Sequence, residues 1–343
     1  MRAIAIPGEA RERGANALRD LDVAAPTPEA RDLLVRVEAV SVNPLDLRMR
    51  SARSRAGEPR ILGWDAAGTV VGTGRAATLF QPGDRVYYAG SIGRPGTNAE
   101  LHLVDERIVG SMPATLTFAQ AAALPLASLA AWEALFERLH IPTSAPDAGR
   151  TLLVIGGAGG VGSVAIQLAK AVAGMRVIAT GSHAGSQAWC RQLGADLVID
   201  HGADLGPQLA AHGIGTVDTI LCLAAPDRYF SAMARLIAPQ GHICALVESA
   251  SPLPMNELRA KSVTFSWEGM FTRSLYGTHD MVEQHHILNR VAGLIDSGRL
   301  RHTARTVLQP INADNLRRAH GLLEAGGIVG KVVLSAQAHS STA

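Results

Sequence analysis

Only three cysteines, Cys190, Cys222 and Cys244, occur in 343 residues. None belongs to a C-x-x-C pair, so neither a disulfide framework nor a structural zinc is expected. Isolated thiols fit a reducing cytosol, and the chain is expected to be cytoplasmic. Cys222 and Cys244 lie in apolar runs and read as small buried hydrophobes. Lysine is equally scarce, at Lys170, Lys261 and Lys331, so arginine supplies nearly all of the 32 basic residues. These are interspersed with 30 acidic ones for a formal net charge of +2. No basic stripe is left to address nucleic acid or a membrane surface. A membrane-length apolar run is missing as well. "FAQAAALPLASLAAWEALF" comes nearest, but Pro125 interrupts it, and Trp132, Glu133 and Phe136 suit a buried helix. The opening "MRAIAIPGEA" lacks the apolar core of a secretory leader, and the small polar tail "SAQAHSSTA" is expected to fray.

What is present divides by texture. Up to about residue 110 the chain reads as short strands punctuated by Gly and Pro. "DLLVRVEAVSV" (Asp32–Val42) alternates around Leu34, Val35 and Val37, "AAGTVVGTG" is small and β-branched, and "PGDRVYYAG" enters a strand at Val86. A compact β-barrel-like domain follows from that pattern. Near Thr117, a candidate N-cap, an Ala/Leu-rich helical stretch begins. Beyond the polar linker "HIPTSAPDAGR", strand and helix alternate from "TLLVIGG" to "GHICALV", which predicts a parallel sheet covered on both faces. "QHHILNRVAGLIDSG" reads as an amphipathic helix with Ile287, Leu288, Val291, Leu294 and Ile295 on one side, and "GGIVGKVVLS" as a last strand.

The strongest single motif is Gly157-Ala158-Gly159-Gly160-Val161-Gly162. The apolar strand Leu152–Ile155 precedes it, and a helix with Val161, Val164, Ala165, Leu168, Ala169 and Val172 at helical spacing follows. That context turns a weak pattern into a dinucleotide fingerprint. Gly157 permits the tight turn, Gly159 lets a pyrophosphate approach, and Gly162 lets helix and strand pack. The helix N-terminus then faces the anion. The next strand ends "VIATGSH", with no carboxylate to repel a 2′-phosphate. Ser182 can hydrogen-bond there and His183 or Arg191 can add charge, so NADPH is expected over NADH.

These parts, in this order, resemble the medium-chain dehydrogenase/reductase superfamily. The resemblance covers residues 1–335 and is sharpened by "AVSVNPLDLRMR", "ILGWDAAGTVV", "PGDRVYYAGSIGRPGTNAE", "GGAGGVG" and "GKVVL". It is nearest to the zinc-independent quinone oxidoreductase branch, and within it to a bacterial group labelled zinc-type alcohol dehydrogenase-like. The resemblance implies an α/β chain: a GroES-like catalytic β-domain and a doubly wound Rossmann domain. The expected boundaries are 1–120 for the first part of the catalytic domain, 121–271 for the Rossmann domain, and 272–343 for the return to the first domain. It also implies substrate binding in a cleft between the domains, and a homodimer paired along the strand "KSVTFSWEG" (Lys261–Gly269).

At the places matching the catalytic zinc ligands of such dehydrogenases this chain has Asn43 and Trp64. Neither is a credible zinc ligand, and the lobe of four close cysteines is absent, so no metal is expected. His102, His285 and His286 lack acid or thiol partners at ligand spacing. Hydride delivery to a quinone or an α,β-unsaturated carbonyl needs no Lewis acid, because the acceptor spreads the developing charge onto oxygen. That is the expected activity. A zinc-dependent alcohol dehydrogenase and a non-catalytic NADPH-binding sensor are the rivals.

The resemblance assigns candidate roles. Asn43 orients a carbonyl or a water, or initiates the turn before Pro44. Asp46 acts beside it or anchors the loop through Arg48. Trp64 floors an aromatic acceptor or fills the core, and Tyr88 is a candidate proton donor. Leu246, Val247 and Phe271 are expected near the nicotinamide, and Lys331 near the cleft. One departure stands out: Ala130, with Ser128 two positions earlier, replaces a Thr common in similar reductases.

Overall fold

The computed structural model describes residues 1–8, 14–50, 58–143 and 149–336. The middle of the loop "RSARSRAGEPR", part of the linker before Thr151 and the tail after Ala336 lie outside them. The chain forms two compact units, Met1–Leu126 with Phe271–Ala343, and Ala127–Met270 between them.

The first unit begins with β1 (Arg2–Ile6), β2 (Arg19–Asp22), β3 (Asp32–Ser41), helix α1 (Pro44–Arg50), β4 (Arg60–Ile61), β5 (Ala66–Thr73), β6 (Arg85–Tyr88), β7 (Leu101–Asp105) and β8 (Val109–Ser111). Alternation in β3 buries Leu33, Val35 and Val37, and leaves Leu34 half buried. The inward set is therefore one residue out of step with the sequence expectation at that position. Thr117 caps α2 (Phe118–Ala122) through a reciprocal capping box with Gln120. Pro125 then ends the stretch and starts α3 (Pro125–Trp132), as its missing N–H requires.

The second unit alternates β9 (Thr151–Ile155), α4 (Gly160–Ala171), β10 (Arg176–Thr180), α5 (Ala184–Gln192), β11 (Leu197–Ile199), α6 (Leu205–Ala210), β12 (Val217–Cys222), α7 (Pro226–Leu236), β13 (Ile237–Ala245) and β14 (Thr264–Trp267). The strands form one six-stranded sheet in the order β11-β10-β9-β12-β13-β14, parallel in every pair. The direction of winding reverses between β9 and β12. In open parallel sheets, ligands bind at the carboxyl ends of strands flanking such a reversal. Leu153, Ile155, Ile178, Ile220, Phe230 and Ile243 anchor the core on one side of this sheet.

The chain then returns to the first unit as α8 (Thr272–Tyr276), α9 (Glu283–Asp296), β15 (Ala304–Leu308), α10 (Ala313–Ala325) and β16 (Lys331–Ser335). β16 sits inside the seven-stranded sheet, parallel to β15 and antiparallel to β3. In α9, Ile287, Leu288, Val291 and Ile295 are buried, and Leu294 is half buried. No helix among the described residues is long and apolar enough to cross a membrane.

Candidate functional site

The turn after β9 starts one residue before the fingerprint: Gly156 holds φ +89°, a conformation that favours glycine. Its N–H donates to Thr180 Oγ1 at 2.9 Å, and that of Gly157 to Thr180 O at 3.1 Å, so β10 shapes the turn. A Cβ at Gly157 would meet Ala179 Cβ at 2.8 Å, and one at Gly162 would meet Gly156 O at 2.5 Å. Packing therefore demands glycine at both. Gly159 differs, because a Cβ there would meet nothing nearer than Gly156 O at 3.7 Å. The protein itself does not require glycine at 159, whereas an approaching ligand would. Gly159 caps α4, and the first-turn amides of Gly160, Val161 and Gly162 lack intrahelical acceptors. The residues here fit a pyrophosphate. Ala158 is buried, and its carbonyl accepts from Ser163 Oγ at 3.3 Å. Ser163 Oγ in turn accepts from Trp189 Nε1 at 2.8 Å, which fixes α5 against α4.

Beyond β10, Ser182 and His183 are exposed. His183 caps α5, its Nδ1 accepting from Ser186 N at 3.3 Å, a duty the sequence did not announce. Arg191 is exposed on the same helix. Two further basic groups belong to this corner. His201, after β11, shares a hydrogen bond with Thr180 Oγ1 at 2.9 Å, beneath the glycine turn. Burial lowers the His201 pKa, and the charges of Arg228 and His183 act in the same direction. The sequence carried no local mark of His201 or Arg228, because three separate strand ends bring them together.

Past the reversal, Leu223 N donates to Ile155 O at 3.0 Å, and Leu246 N to Cys222 O at 3.2 Å. Ala225, between β12 and α7, is held at φ +34°. A non-glycine residue in that region marks local strain, here at the carboxyl end of the sheet beside the reversal. Leu246 and Val247 are half buried directly after β13. The glycine turn, Ser182, His183, Leu246 and Val247 thus all lie at the carboxyl end of one sheet.

In the first unit, a buried polar cluster joins Asn43, Asp46, Asp65 and Lys331. Lys331 Nζ donates to Val42 O at 3.0 Å, to Asp65 Oδ2 at 3.0 Å and to Asn43 Oδ1. An ammonium has three donors, so Lys331 is fully engaged by its own chain. Asn43 Nδ2 donates to Asp65 Oδ2 and to Trp64 O, each at 3.0 Å. Asp65 also accepts from Ser41 Oγ at 2.8 Å and Leu126 N at 2.7 Å. Asp46 Oδ2 accepts from Asn43 N at 2.6 Å, and Oδ1 is buried without a hydrogen-bond partner. Burial pushes the Asp46 pKa up to about 7. Asp46 turns inward to anchor the loop on Asn43, while Arg48 lies exposed.

Trp64 is packed in the core, with Nε1 donating to Ser91 O at 3.3 Å. Tyr88 is fully buried, and its hydroxyl lies 3.1 Å from His102 Nδ1. His102 Nε2 faces Pro95 O at 3.0 Å, so Nε2 carries the proton and Nδ1 accepts from Tyr88. Burial lowers the His102 pKa to about 4 and raises that of Tyr88. The Tyr88 hydroxyl is therefore committed to His102. Phe271 is half buried against the core of the first unit.

Residues 29–130 match the alcohol dehydrogenase GroES-like domain, and residues 193–334 match the zinc-binding dehydrogenase family. A zinc-type alcohol dehydrogenase-like protein of Staphylococcus aureus is 42% identical over 90% of this chain and 92% of its own length. The 2-methylene-furan-3-one reductase of Solanum lycopersicum is 38% identical over 52% of this chain and 47% of its own. A Rhizobium etli crystal structure, provisionally described as a zinc-dependent alcohol dehydrogenase, superposes with TM-score 0.92 at 45% identity, covering 99% of both chains. Escherichia coli quinone oxidoreductase, solved with NADPH, shares the fold at TM-score 0.81 and 23% identity, over 98% of this chain and 100% of that one.

Proposed function

This chain belongs to the medium-chain dehydrogenase/reductase superfamily, and we propose that it serves there as a zinc-free, NADPH-dependent reductase of quinones or α,β-unsaturated carbonyls. The observation that carries this reading is the state of Asn43. It stands at a position where relatives of the zinc type place a metal ligand, yet its oxygen accepts from Lys331 and its nitrogen donates to Asp65 and Trp64. Trp64, at the second such position, offers an indole that is already bonded to Ser91. Among the described residues, no three His, Cys, Asp or Glu side chains are gathered to hold a metal ion. This donor set does not fit zinc, and the Lys331 ammonium beside it would repel a second cation.

NADPH, when bound, supplies the hydride. The glycine turn and the α4 N-terminus hold the pyrophosphate, and Ser182, His183, His201 and Arg228 receive the 2′-phosphate. The loop Leu246–Val247 leaves the carboxyl end of β13, in the same sheet as the glycine turn, and would lie beside the nicotinamide. An enone would gain the hydride at its β-carbon and a proton from solvent at the α-carbon, and a quinone would gain the same hydride and proton and end as a hydroquinone. The acceptor's conjugated π-system carries the charge in between. The same proposal includes a homodimer along β14, the last strand of its sheet, whose Trp267 is 49% exposed.

The test is loss of NADPH absorbance with a panel of quinones, enones and aldehydes, using protein treated with a chelator and assayed for metal. Turnover of quinones or enones by metal-free protein is the expected result. Activity that requires stoichiometric zinc would show a zinc-dependent dehydrogenase instead. Tight NADPH binding without turnover of any compound would favour a cofactor sensor.

A further inference from the structure

We propose that the ion pair of the buried Glu268 carboxylate with the half-buried Arg138 positions the loop Leu246–Val247, and through it the nicotinamide, a role resting on the NADPH reading above. Trp267 is the last residue of β14 in register with β13, opposite Ala245. Glu268 adds one more rung, its N–H donating to Ala245 O at 2.9 Å. The chain leaves β13 at Ala245 and enters the loop with Leu246, whose N–H is tied to Cys222 on the other side. Glu268 therefore grips the loop at its root.

Its side chain explains how the grip is held. The Glu268 carboxylate is 1% exposed and lies 3.0 Å from Arg138 Nε. Cys244, one residue before Ala245, feels the charges of both partners, which places the pair alongside the end of β13. Arg138 is the last residue of a π-helical turn, Glu133–Arg138, that continues α3 without a break. Leu139 N donates to Ala134 O at 2.9 Å, an i to i+5 bond. Such wide turns are rare and gather at functional sites. An ion pair that buries one of its partners adds little stability, since desolvation of the Glu268 carboxylate offsets the attraction. What it does supply is a fixed geometry, and hydride transfer is sensitive to placement on the scale of an ångström.

The experiment compares full-length wild type with Glu268→Gln, Arg138→Met and Arg138→Lys. NADPH affinity is read by fluorescence titration, ring environment by the emission spectrum of bound NADPH, and turnover with whichever acceptor the panel identifies. For Glu268→Gln and Arg138→Met, NADPH affinity should stay within about threefold. Their kcat should fall on the order of tenfold or more at little-changed acceptor KM, the pattern of a lost transition-state placement. Bound NADPH in these variants should emit more like the free cofactor, and Arg138→Lys should restore much of the rate. Should Glu268→Gln fail to fold, Arg138→Met carries the same test from the more exposed side of the pair. Variants with wild-type kcat and emission would overturn the role. Wild-type protein that binds no NADPH would overturn the underlying reading and this role together.

Discussion

Lys331 donates to Asp65 at 3.0 Å, joining the first residue of the last strand to the residue that precedes β5. Asp65 is wholly enclosed and Lys331 nearly so. Replacing Lys331 with Met leaves a carboxylate without its cation in a low-dielectric setting. We expect a loss of about 3–5 kcal/mol, the usual cost of breaking a buried pair from one side. Urea unfolding of the variant against wild type measures it.

Gly157 and Gly162, at the two ends of the motif, should part company with Gly159 between them. Gly162→Ala forces a methyl onto Gly156 O at 2.5 Å, and the fold should suffer. Gly159→Ala meets only an ordinary contact, so its melting temperature should stay near wild type. Its NADPH affinity should nevertheless fall by about tenfold or more, because the new methyl occupies the approach of the pyrophosphate. Calorimetry with and without NADPH separates the two effects.

Changing Ser182 to Asp adds a carboxylate where the adenosine ribose is expected. NADPH should lose affinity relative to NADH by about tenfold, since a 2′-phosphate is repelled and a free 2′-hydroxyl is welcomed. Titrations with both cofactors test this directly.

Stability should carry an unusual pH signature through Asp46. Its pKa rises on folding from 3.8 to about 7, chiefly from burial. Its contribution is thus complete below pH 3.8 and is lost as pH climbs toward about 7. His102 and His320 act in the other direction. Burial lowers both to about 4, so their contribution is complete above 6.5 and is lost as pH falls toward 4. Lys331 and Asp65 face Asp46, while Arg50 and Glu324 adjoin His320. Asp46→Asn removes only the first contribution. The stability of the variant relative to wild type should rise by up to roughly 1.4 kcal/mol per pH unit across that window, then level off. Denaturant titrations from acid to neutral pH would expose a flat difference if Asp46 titrates normally.

The sequence was most legible where chemistry is local. Strand, glycine turn and helix stand side by side at 151–171, and Thr117 marks the start of α2, to which the structure adds the reciprocal bond from Gln120. It was least legible where distant residues meet. Asn43 and Lys331 are 288 positions apart, and nothing near either one says that they bond. Lys331 was expected near the cleft on the strength of the resemblance alone; the structure commits its three donors to Val42, Asn43 and Asp65. Tyr88 was a candidate proton donor as the phenol nearest the expected cleft, and only His102, fourteen positions on, engages its hydroxyl. Helix α10 carries no legible apolar stripe, because its buried face is short: Ala313, Leu316, Ala319 and His320.

The central place of β16 has a consequence for synthesis on the ribosome. The second unit is one continuous stretch and can fold as soon as it emerges. The sheet of the first unit cannot close then, because the strand that fills the gap between β15 and β3 is made only after the whole second unit. Until it arrives, β3 has an open edge and the Asp65 carboxylate lacks its lysine. The segment Met1–Leu126 should therefore mature after the unit that follows it, and chains cut short before Lys331 should be prime substrates for chaperones and proteases.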